Sequence, residues 1–183
     1  MFQIFVSYEN SRFVEIKKDL SQELINIFGR FQINFTQAIR TEISPQALKF
    51  YEDVLKKIAV GGSLTIDYGY TNEEFFSQTR NRGTLMCYYR HNVSEDPFVR
   101  VGEQDLTAHV NFSFFKQVGE NEGFQTSGYT EQQYFLIGCG FMEEVEQLKA
   151  LTTQREFEEE MRKIKVLLIP GGMGTTFKLN NCL

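Results

Sequence analysis

The sequence predicts an α/β layered fold, on three observations. A hairpin signal opens the chain. Apolar residues at helical spacing then alternate with short apolar runs, and glycines sit at the joints. A helix, a glycine turn and a short strand ending in a carboxylate make one step of a parallel sheet, and residues 45–67 read that way. Only two or three strands are legible for the main sheet, against roughly five or six in an average one.

Phe2 to Val6 and Phe13 to Lys17 are short apolar-rich runs around Glu9-Asn10-Ser11, the expected hairpin. Asp19-Leu20-Ser21-Gln22 opens a helix with Leu20, Leu24, Ile27 and Phe28 on its apolar side and Gly29 as its stop. Residues 30–43 carry no period. Ser44-Pro45 starts a second helix, a cap residue followed by a proline where no N–H is needed. Leu48, Tyr51, Leu55 and Ile58 give it one apolar face, and Gly61-Gly62 ends it. Ser63 to Asp67 is a short strand broken by Gly69. Residues 71–112 form a long connection, rich in Tyr, Phe, Arg and His, that the composition marks as ordered and functional. A helix follows over Ser113 to Asn121, then a strand over Phe124 to Ser127. Thr130-x-x-Gln133 reads as a capping box, with Tyr129 and Tyr134 as its hydrophobic staple, opening a helix to about Ile137. Phe141 to Ala150 is helical. Thr153-x-x-Glu156 is a second capping box, and Phe157, Met161, Ile164 and Leu168 carry that helix to Ile169. Thr175 to Asn180 is a last strand.

Composition bounds the function. The 183 residues are 42% hydrophobic, with 18 Phe and 8 Tyr, enough to fill a core and to exclude wholesale disorder. A net charge of −5 argues against nucleic-acid binding through a general basic surface and against an anionic membrane surface. It gives a mild bias toward cationic partners. No run approaches the roughly 20 apolar residues of a membrane helix; the most apolar stretch is Val166 to Ile169. The opening MFQIFVSYENSRF has neither secretory-signal nor transit-peptide character. Cys87, Cys139 and Cys182 are far apart, and with His91 and His109 they make no zinc set, so reduced thiols in a cytoplasmic setting are expected.

Several residue groups could carry chemistry. Asp67-Tyr68-Gly69-Tyr70 follows an apolar strand, where open α/β sheets bind ligands, or it is a strand-terminal Asp capping a turn. Asp105-Leu106-Thr107-Ala108-His109-Val110-Asn111 alternates; as one strand it puts Asp105, Thr107, His109 and Asn111 on one face, a polar site or a structural hydrogen-bond network. Gly171-Gly172-Met173-Gly174 lacks a following helix and reads as a tight turn, not a phosphate loop. Cys87, His91 and Asp105 have no nucleophile elbow around them. Glu156, Glu158, Glu159 and Glu160 are a solvated helix face.

Taken together, GGSLTIDYGY (61–70), GTLMCYYRHNVSEDPF (83–98), VGEQDLTAHVNFS (101–113), the Thr130-x-x-Gln-x-Phe-Leu region and MGTTFKL (173–179) resemble the C-terminal half of MidA-type methyltransferases. That family includes a mitochondrial assembly factor of the respiratory NADH dehydrogenase. The resemblance implies an S-adenosylmethionine-dependent enzyme acting on protein arginine. It implies the C-terminal part of a Rossmann-like class I methyltransferase fold, an incomplete sheet with helices on both faces and an N-terminal β-hairpin insertion. Residues 1–43 would be the hairpin and helix insertion and 44–183 the methyltransferase-like part. Ser63 to Asp67 would be the fifth strand, Phe124 to Ser127 the sixth and Thr175 to Asn180 the antiparallel last one.

The family's glycine loop, its acidic ribose-binding residue and its Asn-Glu-Phe-Phe-Asp-like block have no counterpart here, so the resemblance implies an incomplete cofactor site and an open sheet edge. The expected catalytic residues are Asp105 and His109. Those expected to bind substrate are Asp67, Tyr68, Tyr70, Arg90, His91 and Thr107. The expected partners are a protein substrate, such as a respiratory-complex subunit, and an N-terminal half acting in trans. Two alternatives stay open: a non-catalytic interaction module built on the same fold, binding through 71–100, and a truncated reading frame.

Overall fold

In chain order the elements are β1 (Gln3–Glu9), β2 (Arg12–Lys18), α1 (Gln22–Arg30), α2 (Pro45–Leu55), β3 (Ser63–Tyr70), α3 (Asn72–Phe75), β4 (Met86–Tyr89), β5 (Asn92–Ser94), β6 (Asp105–Thr107), β7 (Val110–Asn111), α4 (Phe112–Asn121), β8 (Thr126–Glu131), α5 (Gln132–Gly138), α6 (Phe141–Leu151), α7 (Gln154–Ile164), α8 (Met173–Thr176) and β9 (Phe177–Cys182). This is a computed structural model, and it describes residues 1–35 and 38–183. The mixed α/β chain divides into two units, Met1–Tyr51 with Glu73–Ala108, and Glu52–Asn72 with His109–Leu183.

In the first unit β1 and β2 form the expected hairpin, paired from Gln3↔Lys18 to Glu9↔Arg12. Its two turn residues, Asn10 (φ 49°) and Ser11 (φ 62°), are both left-handed, the turn whose twist matches the strands. Ser21, within the expected opening Asp19–Gln22, caps α1 by accepting from the Leu24 amide at 3.3 Å. The aperiodic stretch beyond it is tied down by side chains; residues 36 and 37 of it lie outside the described residues. Arg40 makes a forked bond to Glu15 (2.6 and 3.0 Å), and its amide donates to the Asn81 carbonyl at 2.8 Å. Glu42 accepts from the Thr84 amide (2.8 Å) and hydroxyl (3.0 Å). Ser44 caps α2 through the Ala47 amide, as its position before Pro45 predicts. The helix stops at Leu55, and Ile58 lies in the turns beyond it. The 71–112 connection has its own order: α3, a 3-10 turn over Gln78–Arg80, and an antiparallel sheet in the order β5-β4-β6.

The second unit is built on a four-stranded sheet in the order β7-β3-β9-β8. β7 runs parallel to β3, and β9 runs antiparallel to both β3 and β8. Gly69 does not break β3. It sits buried inside it, where a side chain would press on the Val110 carbonyl and the Phe112 ring. Phe112, Phe114, Phe115 and Val118 of α4 form the core with Leu55, Leu179 and Cys182. Gly119 admits the Cys182 sulfur, which would stand 3.1 Å from a Cβ there. On β3 itself the apolar side chains take the more open face, with Leu64 46%, Ile66 49% and Tyr68 39% exposed.

Other expectations are corrected in this unit. The strand placed at Phe124 to Ser127 is β8, Thr126–Glu131, so Thr130 is strand and not a helix cap. Glu131 occupies the N-cap position of α5 without capping it. Its carboxylate instead meets Lys178, a nearly buried cation on β9, at 2.7 Å. The capping box of Thr153 and Glu156 forms as read, but α7 ends at Ile164 and passes into a 3-10 turn over Lys165–Leu167. The last strand starts at Phe177, because Met173–Thr176 coil into one helical turn. No helix among the described residues is long and apolar enough to cross a membrane.

Candidate functional site

The C-terminal end of β3 carries the densest group of candidate side chains. Residues 68 and 70 fall on one face of the strand, and residues 67 and 69 on the other. Register places Phe177 of β9 directly opposite Tyr68, and their rings stand 4.2 Å apart. His109, just before β7, lies with its ring centroid 4.9 Å from Tyr70 and 6.0 Å from Tyr68. Three aromatic rings and an imidazole thus converge at one strand end, with Tyr68 part-open to solvent.

The support beneath the cluster is polar and specific. The Asn111 side chain accepts from the Ser113 and Phe114 amides at 3.0 and 3.3 Å, capping α4, and donates to Asn72 Oδ1 at 2.8 Å. The Asn72 amide donates to Ser113 Oγ at 2.9 Å. The end of β3, β7 and the start of α4 are therefore tied together, and because Gly69 lacks a side chain the β7 backbone can lie close.

Asp67 is on the opposite face from the aromatic cluster. Its Oδ1 accepts from the Tyr68 amide at 2.7 Å, and on the ladder it faces Lys178. Lys178 in turn bonds Glu131, whose other oxygen accepts from Gln133 at 2.8 Å. The Lys178 ammonium holds the Glu131 carboxyl below its usual range.

The expected single strand 105–111 is a correction. It divides at Ala108–His109, because Asp105–Thr107 pairs with Met86–Tyr88 while Val110–Asn111 pairs with Gly69–Tyr70. Asp105 and Thr107 belong to the three-stranded sheet of the first unit, where Asp105 is exposed and Thr107 donates to the Met86 carbonyl at 3.4 Å. Arg90 and His91 are the exposed tip of the β4–β5 turn. Cys87 is fully buried and burial pushes its thiol up, the reverse of an activated nucleophile. The sequence reading missed Phe177 and Asn72. Both join the site through long-range pairing, for which no local signal exists.

No strand–glycine–helix cradle for a cofactor occurs among the described residues. Gly171 to Gly174 follow a 3-10 turn and lead into a helix of four residues, and a side chain at Gly174 would overlap the Leu168 backbone.

Comparison with known proteins gives consistent matches. The model of a family described as "Putative S-adenosyl-L-methionine-dependent methyltransferase" matches residues 1–130. The chain is 31% identical over 119 residues to the mitochondrial "Protein arginine methyltransferase NDUFAF7 homolog" of Drosophila melanogaster, a stretch that is 64% of this chain and 25% of that protein. Among solved structures, an uncharacterized superfamily protein from Burkholderia thailandensis matches 99% of this chain with a TM-score of 0.87 at 30% identity. A member of the same superfamily from that organism, solved bound to S-adenosyl-homocysteine, matches 99% with a TM-score of 0.84 at 30% identity. The chain spans about half the length of these two solved proteins, 48% and 46%.

Proposed function

Because the chain belongs to the MidA-like family of S-adenosyl-L-methionine-dependent methyltransferases, we propose that it forms the acceptor-binding portion of such an enzyme, acting on protein arginine. In this reading it is the C-terminal part of a Rossmann-like class I fold. The cofactor's glycine cradle is then supplied by a segment outside these 183 residues, an N-terminal half on the same polypeptide or in trans. The cofactor carries the methyl group on a sulfonium, and its binding is not assigned to residues of this chain. The observation that carries the reading is the match of nearly the whole chain to a relative solved with the demethylated cofactor.

The β3 aromatic cluster suits a guanidinium. A planar cation lying on Tyr68, Tyr70 or Phe177 gains about 0.5–2 kcal/mol, more as water is excluded. His109 stands against both tyrosines and is the group placed to hold the proton that a guanidinium sheds on methylation. Asp67 fixes the strand end through the Tyr68 amide. Asp105, with Thr107, Arg90 and His91, is a second candidate set on the first unit, with Asp105 as a carboxylate for acceptor orientation. Transfer is an in-line displacement, so positioning is the chain's main contribution. A respiratory-complex subunit is one acceptor to try, and a cytoplasmic setting fits the free thiols of Cys87, Cys139 and Cys182.

The open apolar face of β3 supports a further covering segment. The test is mass spectrometry of a candidate acceptor incubated with labelled cofactor, this chain and a segment carrying the glycine loop. Label on arginine, lost when His109 is replaced by alanine, supports the reading. Label on other residues or an indifferent His109 contradicts it, and failure of the mixture to bind cofactor favours the non-catalytic module.

A further inference from the structure

In the first unit, two guanidiniums share one phenol ring. Arg90 Cζ lies 5.2 Å and Arg100 Cζ 4.6 Å from the Tyr89 centroid. Both arginines are exposed, and among the described residues neither is within ion-pair distance of a carboxylate. Of the acidic side chains nearby, Glu95 pairs with Arg82 at 2.9 Å and Asp96 accepts from the Phe98 amide at 2.9 Å, while Glu103 and Asp105 are exposed and make no ion pair with either arginine. Two cations held to one ring are at most roughly 10 Å apart, about the screening length at physiological salt, so they repel. A protein of net charge −5 has thus kept two neighbouring positive charges without counter-ions.

The backbone carries a second, independent signal. Arg90 (φ 47°) and His91 (φ 66°) are the two central residues of the β4–β5 hairpin turn, and Arg100 (φ 54°) is left-handed too. Asn-Gly is the favoured pair at such a turn, and beyond Gly the left-handed region favours Asn, Asp and His but not Arg. Two of these left-handed positions therefore carry Arg, where Gly, Asn, Asp or His is the common choice. A local rule broken without a folding gain points to function.

We propose that the tip formed by Tyr89, Arg90, His91 and Arg100 is a docking site for an acidic peptide segment. Two forked guanidiniums bind carboxylates in charge-assisted pairs. Tyr88 and Val93, cross-strand neighbours, and Val99 and Val101, beside Arg100, are exposed and offer apolar contact to a peptide's side chains. An extended polyanion such as nucleic acid would bring the rest of the acidic surface against its other charges, whereas a short segment places its charge at the tip alone. In its role, though not in its chemistry, this site rests on the protein-acceptor reading: it would hold an acidic stretch of the acceptor other than the methylated residue.

The test uses the 183-residue chain without cofactor, so its failure and a failure of methyl transfer are separate results. The probe is a blocked hexapeptide of four glutamates and two leucines, followed by NMR of the arginine Nε–H signals. Saturable shifts confined to Arg90 and Arg100, weakening with added salt, are expected. Arg90→Gln and Arg100→Gln should each weaken binding about tenfold. The double variant Arg90→Asn with His91→Gly should melt about 2–6 °C higher, because the turn is relieved, and yet lose peptide binding. Equal binding of the all-glutamine peptide overturns the proposal, as does unchanged binding by the arginine variants. So does a turn variant that melts lower while binding as well as the parent. Shifts produced by inorganic phosphate or anionic vesicles, and not by the peptide, reassign the tip and overturn the peptide assignment.

Discussion

Replacing Gly69 with alanine tests the geometry under the aromatic cluster. The added methyl would stand 2.6 and 2.7 Å from two carbons of the Phe112 ring and closer still to the Val110 carbonyl oxygen. Ordinary contact needs roughly 3.5–4 Å, so ring and β7 backbone together must retreat by about 1 Å. Overpacking of this kind costs about 1–3 kcal/mol, and the alanine recovers about 0.4–1 kcal/mol by restricting the unfolded chain. The net loss is about 1–2 kcal/mol, a fall in melting temperature of about 2–8 °C for a chain this long. Thermal and urea unfolding followed by circular dichroism would measure it. His109 precedes Val110, so the same variant should move the imidazole signals in NMR. Gly128 is the control: nothing lies within 4 Å of a Cβ there, and Gly128→Ala should stay within about 0.5 kcal/mol of the parent. A Gly69→Ala protein as stable as the parent, or a Gly128→Ala protein equally weakened, would refute the reasoning.

Glu131→Gln strips the nearly buried Lys178 of its counter-charge and should destabilise by about 1–3 kcal/mol in urea unfolding. The folded Glu131 carboxyl lies below its unfolded value, so its contribution is present above that unfolded value and is lost as pH falls through the depressed folded one. The parent's urea midpoint should accordingly fall more steeply on acidification than that of Glu131→Gln, and parallel profiles would count against the pair. Glu42→Ala removes the acceptor of the Thr84 amide and hydroxyl and should lower stability by about 1–3 kcal/mol, with faster hydrogen exchange at Thr84. Tyr68→Ala should reduce kcat/KM for an arginine acceptor about 3- to 30-fold in the completed enzyme, while Tyr68→Phe keeps most activity, because the ring face and not the hydroxyl receives the cation. Equal losses in both variants would assign the work to the hydroxyl.

Local chemistry was legible in this sequence, and long-range pairing was not. Asn10-Ser11, Ser44-Pro45 and the Thr153–Glu156 box act over three or four residues, and the structure uses each of them as read. Thr130-x-x-Gln133 has the same spacing as a cap, but pairing with β9 draws Thr130 and Glu131 into a strand and turns the carboxylate toward Lys178. The alternation over 105–111 is real, yet its two halves pair with different strands, so Asp105 and His109 do not share one strand face. Gly69 reads locally as a breaker, and only the closeness of Val110 and Phe112 explains it. Tyr68, Tyr70 and His109 were legible as candidates, and the structure brings their rings together, whereas Phe177 joins them through a register that spans more than a hundred residues.

The most direct measurement of the central claim is a calorimetric titration of S-adenosylmethionine into the 183-residue chain, alone and mixed with a segment that carries the family's glycine loop. The account predicts no saturable heat for the chain alone and one site per complex in the mixture. Saturable one-to-one binding by the chain alone would contradict it.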